Sequence, residues 1–175
     1  MDKIEGKKEL KILPFDKKLG DIEELTYVLN RAYKQLAEMG LKYVASHQDS
    51  SITLERIEHA HCLVAMEGEK IVGTISFYPP GSKMACDWYR KEGIGVIGQF
   101  GVLPELQGAG LGTQLLDEVE LYAHKQIDVN EVSLDTAEKA DHLITMYAKR
   151  GYKFVEYVDW DMTNYRSVIM SKSIK

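Results

Sequence analysis

No stretch of this 175-residue chain approaches the roughly 18–20 apolar residues needed to span a bilayer. Its charged opening, Met1-Asp2-Lys3-Ile4-Glu5, lacks the apolar run of a secretion signal. A cytoplasmic location with no membrane partner is therefore expected. Cysteine is scarce. Cys62 falls in a predicted strand and Cys86 in a loop, and two thiols make neither a disulfide framework nor a cysteine-rich metal site. Free thiols in a reducing compartment are expected. Basic charge is not in excess either: 22 Lys and Arg stand against 27 Asp and Glu, a formal net charge of −5. Nucleic-acid binding needs a basic face, so no nucleic-acid partner is expected. Lys7-Lys8 and Lys17-Lys18 lack interleaved aromatics and read as solvated faces. The mild acidity is compatible with a cationic substrate. His59 and His61 flank Ala60 with Cys62 next, yet a zinc site needs about four ligands and no partner cluster appears. No metal is expected.

What is present is an ordinary globular composition, 45% hydrophobic and 28% charged, at a length that suits one domain over residues 1–175. Only Met1 to Lys11 reads as loosely ordered. Leu10 to Phe15 reads as an edge strand stopped by Pro14 and the charged residues after it. From Asp21, a helix N-cap, Ile22, Leu25, Val28, Leu29, Ala32, Tyr33 and Leu36 keep helical spacing up to Gly40, which suits a C-cap. Polar residues 41–51 read as an excursion overhanging the site, and Thr53 to Ala60 as a short second helix. Cys62 to Met66 and Ile71 to Tyr78 read as a hairpin around Gly68. Pro79-Pro80-Gly81 ends it, and Ser82 to Gly93 forms a loop whose Trp88 and Tyr89 read either as exposed substrate contacts or as padding on the sheet edge.

The most informative segment follows. An apolar strand, Ile94 to Val102, passes through Gln107-Gly108-Ala109-Gly110-Leu111-Gly112 into a helix with Leu111, Leu115, Val119, Tyr122, Ala123 and Ile127 on one side. Alternating glycines let backbone N–H groups turn inward, and the helix start adds unpaired donors and a positive dipole end: a cradle for pyrophosphate. A Walker loop would need Gly-Lys-Ser/Thr, and Gly112 runs into Thr113 without a lysine. A dinucleotide fingerprint would need Gly-x-Gly-x-x-Gly, which the alternating spacing does not match.

Gln-x-x-Gly-x-Gly, preceded by Val102-Leu103-Pro104-Glu105-Leu106, closely resembles the acyl-CoA-binding segment of the GNAT superfamily of N-acetyltransferases. The resemblance extends through Val132 to Thr136, similar to the family's next strand, and through Met146 to Phe154, similar to its "LYxKxGF" ending. It spans Ile94 to Val158 by motif and the rest by order of elements. The remaining elements, strand Glu131 to Thr136, helix Asp141 to Arg150 capped by Gly151, and strands Lys153 to Trp160 and Ser167 to Ile174, give the order β-α-α-β-β-β-α-β-α-β-β. That order is the one the resemblance implies: an α/β class fold with a mixed (α+β) sheet flanked by helices, in which a strand-helix-strand unit makes part of the sheet parallel.

The resemblance implies acetyl-CoA as cofactor and an amine as acceptor, with direct attack on the thioester. The backbone of Phe100, Gly101 and Val102 would pair with the pantetheine arm as an added strand does. The Val102 N–H would face the thioester oxygen as an oxyanion donor, with Gly101 leaving room. Gln107 through Thr113, including Ala109 and Leu111, would hold the pyrophosphate. Tyr147 would protonate or hydrogen-bond the departing thiolate; alternatively, being i, i+4 from Leu143, it belongs to the core. Two departures from the family's pattern stand out. Val96 and Gly98 occupy the stretch of strand four where clear members carry glutamate or histidine as base, and Gln99 takes no proton at neutral pH. Asp135, Glu138 and His142 are candidate substitutes, and a water relay is the more economical hypothesis. The asparagine that often holds the cofactor arm is also missing, with Thr136 or the backbone of Ala140 as replacements. Trp88, Tyr89, Gln99 and Asp135 are the candidate acceptor contacts. The expected partner is a small-molecule primary amine, and a homodimer is left open. A protein or peptide N-acetyltransferase and a non-enzymatic acyl-CoA-binding regulator are the alternatives.

Overall fold

Asp21 opens the first helix, α1 (Ile22–Glu38), by accepting the Glu24 N–H at 2.7 Å. Glu23 and Glu24 add negative charge to the first turn, where the helix dipole favours it. The far end closes with Gly40 at φ 85°, its N–H bonded to the Ala37 carbonyl and that of Leu41 to the Leu36 carbonyl. This is the paired arrangement that a left-handed glycine permits after a helix. The computed structural model describes residues 8–175. The expected loose order of Met1 to Lys11 lies outside the described residues as far as residue 7, and is corrected from Leu10 onward, where strand β1 (Leu10–Pro14) begins.

Helix α2 spans Ser50–Ile57, three residues earlier than expected, because Asp49 caps it by accepting the Ile52 N–H at 3.0 Å. The excursion before it is pinned rather than free: Asn30 of α1 donates to the carbonyls of Ala45 and Gln48 at 2.8 and 3.2 Å. The remaining elements are β2 (His61–Glu67), β3 (Lys70–Tyr78), β4 (Ile94–Val102), α3 (Leu111–Gln126), β5 (Glu131–Ala137), α4 (Asp141–Lys149), β6 (Lys153–Asp159) and β7 (Arg166–Ser173).

Among the described residues the seven strands form one sheet in the order β1-β2-β3-β4-β5-β7-β6. Neighbours are antiparallel except β4 and β5, the pair joined by the crossover helix α3, as the strand-helix-strand reading requires. Both faces are covered. Leu63 and Ala65 of β2 face the cluster built on α3, with Leu115, Leu116 and Val119, while Cys62, Val64 and Met66 face Leu25 and Val28 of α1. Burial on two faces explains why β2 and β3 read as nearly continuous apolar runs rather than alternating ones.

Candidate active site

The site begins where two strands part. β4 and β5 pair only through Ile94, Gly95 and Val96, although β4 continues to Val102 and β5 to Ala137. Against β3 the register slips: Thr74 faces Gly101 and Ser76 faces Gly98, so Gln99 and Phe100 stand opposite the single residue Ile75. This is a β-bulge, and Gln99 adopts φ 48°, the left-handed region that a non-glycine residue seldom enters. The bulge bends β4 away from β5 and leaves backbone groups on that edge free.

Which groups face the gap follows from strand geometry. The Leu103 N–H bonds to the Val72 carbonyl of β3 at 2.9 Å, so the N–H and C=O of Val102 point the opposite way, into the gap. The Val102 carbonyl accepts Gln107 Nε2 at 2.9 Å. Gln107 thus spends its side chain on the strand end and its backbone N–H on Pro104. The cradle proper is Gly108 to Thr113. Gly108 and Gly110 lie at φ 82° and 87°, and a Cβ at either would meet nothing within 4 Å. Among the described residues the N–H groups of 108–113 find no protein acceptor, and Gly110 is the N-cap of α3. Six unpaired donors around a helix start fit a pyrophosphate.

A cavity of about 500 Å³ joins this cradle to Phe100, Gly101 and Val102 and to Tyr147 of α4. Of the residues expected to hold a cofactor, Ala109, Leu111, Thr136 and Ala140 do not line it. Leu111 is core. Thr136 pairs its hydroxyl with that of Tyr43 at 2.7 Å, and the Ala140 N–H bonds to the Ala137 carbonyl. The room at Gly101 serves α1: a Cβ there would lie 2.7 Å from the Cβ of Ala32. Tyr147 packs in the core and lines the cofactor cavity. Its ring lies in the core beside Tyr152, centroids 5.8 Å apart, while its hydroxyl has no hydrogen-bond partner among the described residues and faces the cavity. Burial, with Tyr43 and Asp135 adding, pushes its pKa well above the ordinary tyrosine value, so it stays protonated at neutral pH and able to donate.

A second cavity, about 350 Å³, lies on the other side of the β4 bulge, with Gly98 and Gln99 in its wall. Tyr33 of α1 lines both cavities. Tyr43, from the excursion after α1, packs at a tilt between Tyr33 and Tyr165 with centroids 5.2 and 4.8 Å away, so the excursion forms part of the cavity wall. The side-chain Oε1 of Gln99 accepts Gln48 Nε2 at 3.0 Å, and the same nitrogen donates to Thr53 Oγ1 at 2.8 Å, which ties the Gln99 side chain at the bulge to α2. Asp135 is the one β5 carboxylate in the cavity wall. Its two oxygens accept from Tyr89 Oη at 2.8 Å and Trp160 Nε1 at 3.1 Å.

Trp88 and Tyr89 are not exposed. Tyr89 is 1% exposed and Trp88 is half-buried, donating to Ser133 Oγ at 2.8 Å. Tyr89 does not line the cavity but holds Asp135 and lies beneath the Lys83 ammonium, and Trp88 packs over the sheet. Of the other candidate bases, Glu138 is bound by Arg166 at 2.7 Å, which holds its carboxyl below the usual range, and His142 lines the cofactor cavity rather than this one. Cys62 and Cys86 are free and buried, and neither lines a cavity. Sequence reasoning missed Tyr33, Tyr43, Arg56, Lys83, Trp160 and Tyr165 of the second cavity. They come from five separate segments and carry no local motif, so only the fold brings them together.

A sheet splayed at a bulge, with a glycine cradle at the following helix, defines an acyl-CoA-dependent transferase, and the comparisons agree. Residues 23–152 match the model of the Acetyltransferase (GNAT) family. The chain belongs to that family and is an acyltransferase using acetyl-CoA. It is 33% identical over 133 residues, 75% of this chain and 78% of the relative, to an S-(2-succino)cysteine N-acetyltransferase of Bacillus subtilis (strain 168). To an S-alkylcysteine N-acetyltransferase of the same organism it is 28% identical over 141 residues, 76% of this chain and 74% of that one. Its fold matches the Salmonella typhimurium putative acetyltransferase solved with acetyl-CoA, with a TM-score of 0.69 at 19% identity, covering 95% of this chain and 94% of that one. Among the described residues, no helix is long and apolar enough to cross a membrane, and no group of three or more His, Cys, Asp or Glu is placed to hold a metal.

Proposed function

We propose that the enzyme transfers acetyl directly, within a ternary complex, to the primary amine of a small S-substituted cysteine. The observation that carries this reading is the meeting of two cavities at one bulge. The cradle and free strand edge hold the cofactor on one side, the acceptor enters from the other, and Tyr33 lines both. When bound, acetyl-CoA supplies a thioester carbonyl for the amine to attack. The chain's own groups then act on defined atoms. The Val102 N–H, which points into the gap, would stabilise charge developing on that carbonyl oxygen, a donor fixed before reaction. The Tyr147 hydroxyl would give a proton to the departing sulfur and regain one, through solvent, from the attacking nitrogen. Asp135, clamped by Tyr89 and Trp160, orients the amine. With no cysteine lining either cavity, direct transfer needs no acyl-cysteine.

The two curated relatives favour a cysteine derivative as acceptor. A small acceptor is also favoured over a protein chain, because the cavity is closed on one side by Tyr43–Ala45 and on the other by Trp160–Tyr165. Thiol release from acetyl-CoA, measured with S-(2-succino)cysteine, S-alkylcysteines, free lysine and short peptides, tests the reading. Turnover with the cysteine derivatives at the highest kcat/KM is expected. Preference for peptides would replace the reading with a protein acetyltransferase, and cofactor binding without release for any amine would indicate a regulator.

A further inference from the structure

Two cations of the acceptor cavity, Lys83 and Arg56, form no close ion pair, although Asp135 and Glu55 share the cavity wall. Lys83, from the loop after β3, projects its ammonium beside the middle of β4, where a Cβ on Gly98 would lie 3.6 Å from Nζ. The ammonium faces the rings of Tyr78 and Tyr89, with Nζ 5.1 and 6.0 Å from their centroids. Arg56 of α2 reaches the same cavity, where Nη2 touches the sulfur of Met162 at 3.6 Å. Met162 is 65% exposed, which places Arg56 at the mouth and Lys83 inside. Among the described residues, neither cation has a carboxylate within 4.0 Å. Burial pushes the Lys83 ammonium below its ordinary pKa, opposed by Asp135 and reinforced by Arg56. A buried cation that no carboxylate contacts directly is costly, and an incoming carboxylate would offset that cost at Lys83.

We infer that Lys83 and Arg56 form an anion subsite that holds the acceptor's carboxylates, Lys83 taking the α-carboxylate beside β4 and Arg56 taking a carboxylate of the S-substituent at the mouth. The inference rests on the proposed cysteine-derived acceptor and adds its charge: an acidic S-substituent. The arrangement complements a zwitterion. The α-carboxylate lies two bonds from the amine, so a carboxylate on Lys83 leaves the amine within the same cavity as Asp135, the opposite charge. The guanidinium offers paired N–H donors to a planar carboxylate, the geometry in which Arg exceeds Lys. The cavity volume, about 350 Å³, lies at the small end of ligand pockets and suits one amino acid with a short substituent. In a chain of net charge −5, attraction for an acidic acceptor has to be local, and these two cations supply it.

Binding of succinate to the CoA-loaded protein, followed by calorimetry, tests the subsite without turnover. Succinate is expected to bind, and Lys83→Gln and Arg56→Gln are each expected to weaken it by about 10-fold or more, as loss of a charge-assisted hydrogen bond does. Lys83→Arg should largely restore binding, separating lost charge from a damaged fold. In turnover, Arg56→Gln should narrow the ratio of kcat/KM between S-(2-succino)cysteine and an S-alkylcysteine by about 10-fold through KM. Lys83→Gln should raise KM for both while kcat holds. Succinate binding that is absent, or unaltered in either variant, overturns the subsite. So does a Lys83→Gln loss confined to kcat for every acceptor, which would make Lys83 the base. Succinate binding that depends on both cations, with no S-substituted cysteine turned over, would keep the subsite and refute the proposed acceptor.

Discussion

Tyr147 is the residue at which packing and chemistry meet, because its ring is core while its hydroxyl is unpaired at the cofactor cavity. Removing only that oxygen, as in Tyr147→Phe, is expected to leave the melting temperature and acetyl-CoA affinity near the parent values. It should lower kcat by about 10²-fold, the usual range for losing a positioned general acid. Steady-state kinetics with chemistry shown to be rate-limiting checks this, and an unchanged kcat would return Tyr147 to a purely structural role. Gly110 offers a matching test of the cradle. Its φ of 87° and the open space around it mean that Gly110→Asp strains the backbone modestly and points a carboxylate at the place where a pyrophosphate would sit. Acetyl-CoA affinity should fall by about 10-fold or more while the thermal transition moves little. Equal affinity by calorimetry would remove Gly108 to Thr113 from the cofactor site. Both residues were legible in the sequence because their signals are local: alternating glycines before a helix, and a tyrosine at fixed distance from Gly151.

At the level of elements, the bulge in β4 decides where everything else can go. It was not legible, since a bulge is a property of pairing between strands and Gln99 gives no hint of φ 48° on its own. The early start of α2 escaped for a smaller reason: Asp49 was one polar residue in a polar stretch until its carboxylate was seen to cap Ile52. Gly101 lines the cofactor cavity and also packs against α1. The glycine does leave room, but the room is filled by Ala32 of α1, so the residue sets the distance between helix and strand. Gly101→Ala should therefore push α1 off β4 and destabilise the fold by about 1–3 kcal/mol, the cost of overpacking a core. Because Ala32, Gln35 and Leu36 of α1 line the cofactor cavity, acetyl-CoA affinity should fall with it. Denaturation together with calorimetry checks the pair. Lost affinity at full stability would mean that Gly101 faces the cofactor directly, as the sequence suggested.

Across the whole molecule the glycine cradle and the end of β4 form one continuous segment with a local motif, whereas the α1 residues of the cofactor cavity and the five segments of the acceptor cavity carry none and come together only in the fold. The same division bears on deprotonation. The tyrosines around the site, Tyr33, Tyr43, Tyr147 and Tyr165, all have pKa values raised chiefly by burial. They remain neutral acids at physiological pH and take no proton from an amine. Glu138 is held ionised by Arg166 and lies off both cavities, and Gly98 leaves the middle of β4 without a base. A water relay to solvent, with Asp135 orienting the ammonium, is the route we propose, and Glu55, His59 and Lys83 of the same cavity wall are the groups that would replace it. The rate should accordingly follow the neutral fraction of the amine, which grows as pH rises towards the amine's own pKa. The rising limb of kcat/KM should therefore shift with the acceptor when amines of different pKa are compared. Glu138→Ala and His142→Ala should each change kcat by less than about threefold, the modest effect expected of groups that touch no reacting atom. A limb fixed at one pH for every acceptor, and abolished by Asp135→Ala, would instead identify Asp135 as a dedicated base clamped in place by Tyr89 and Trp160.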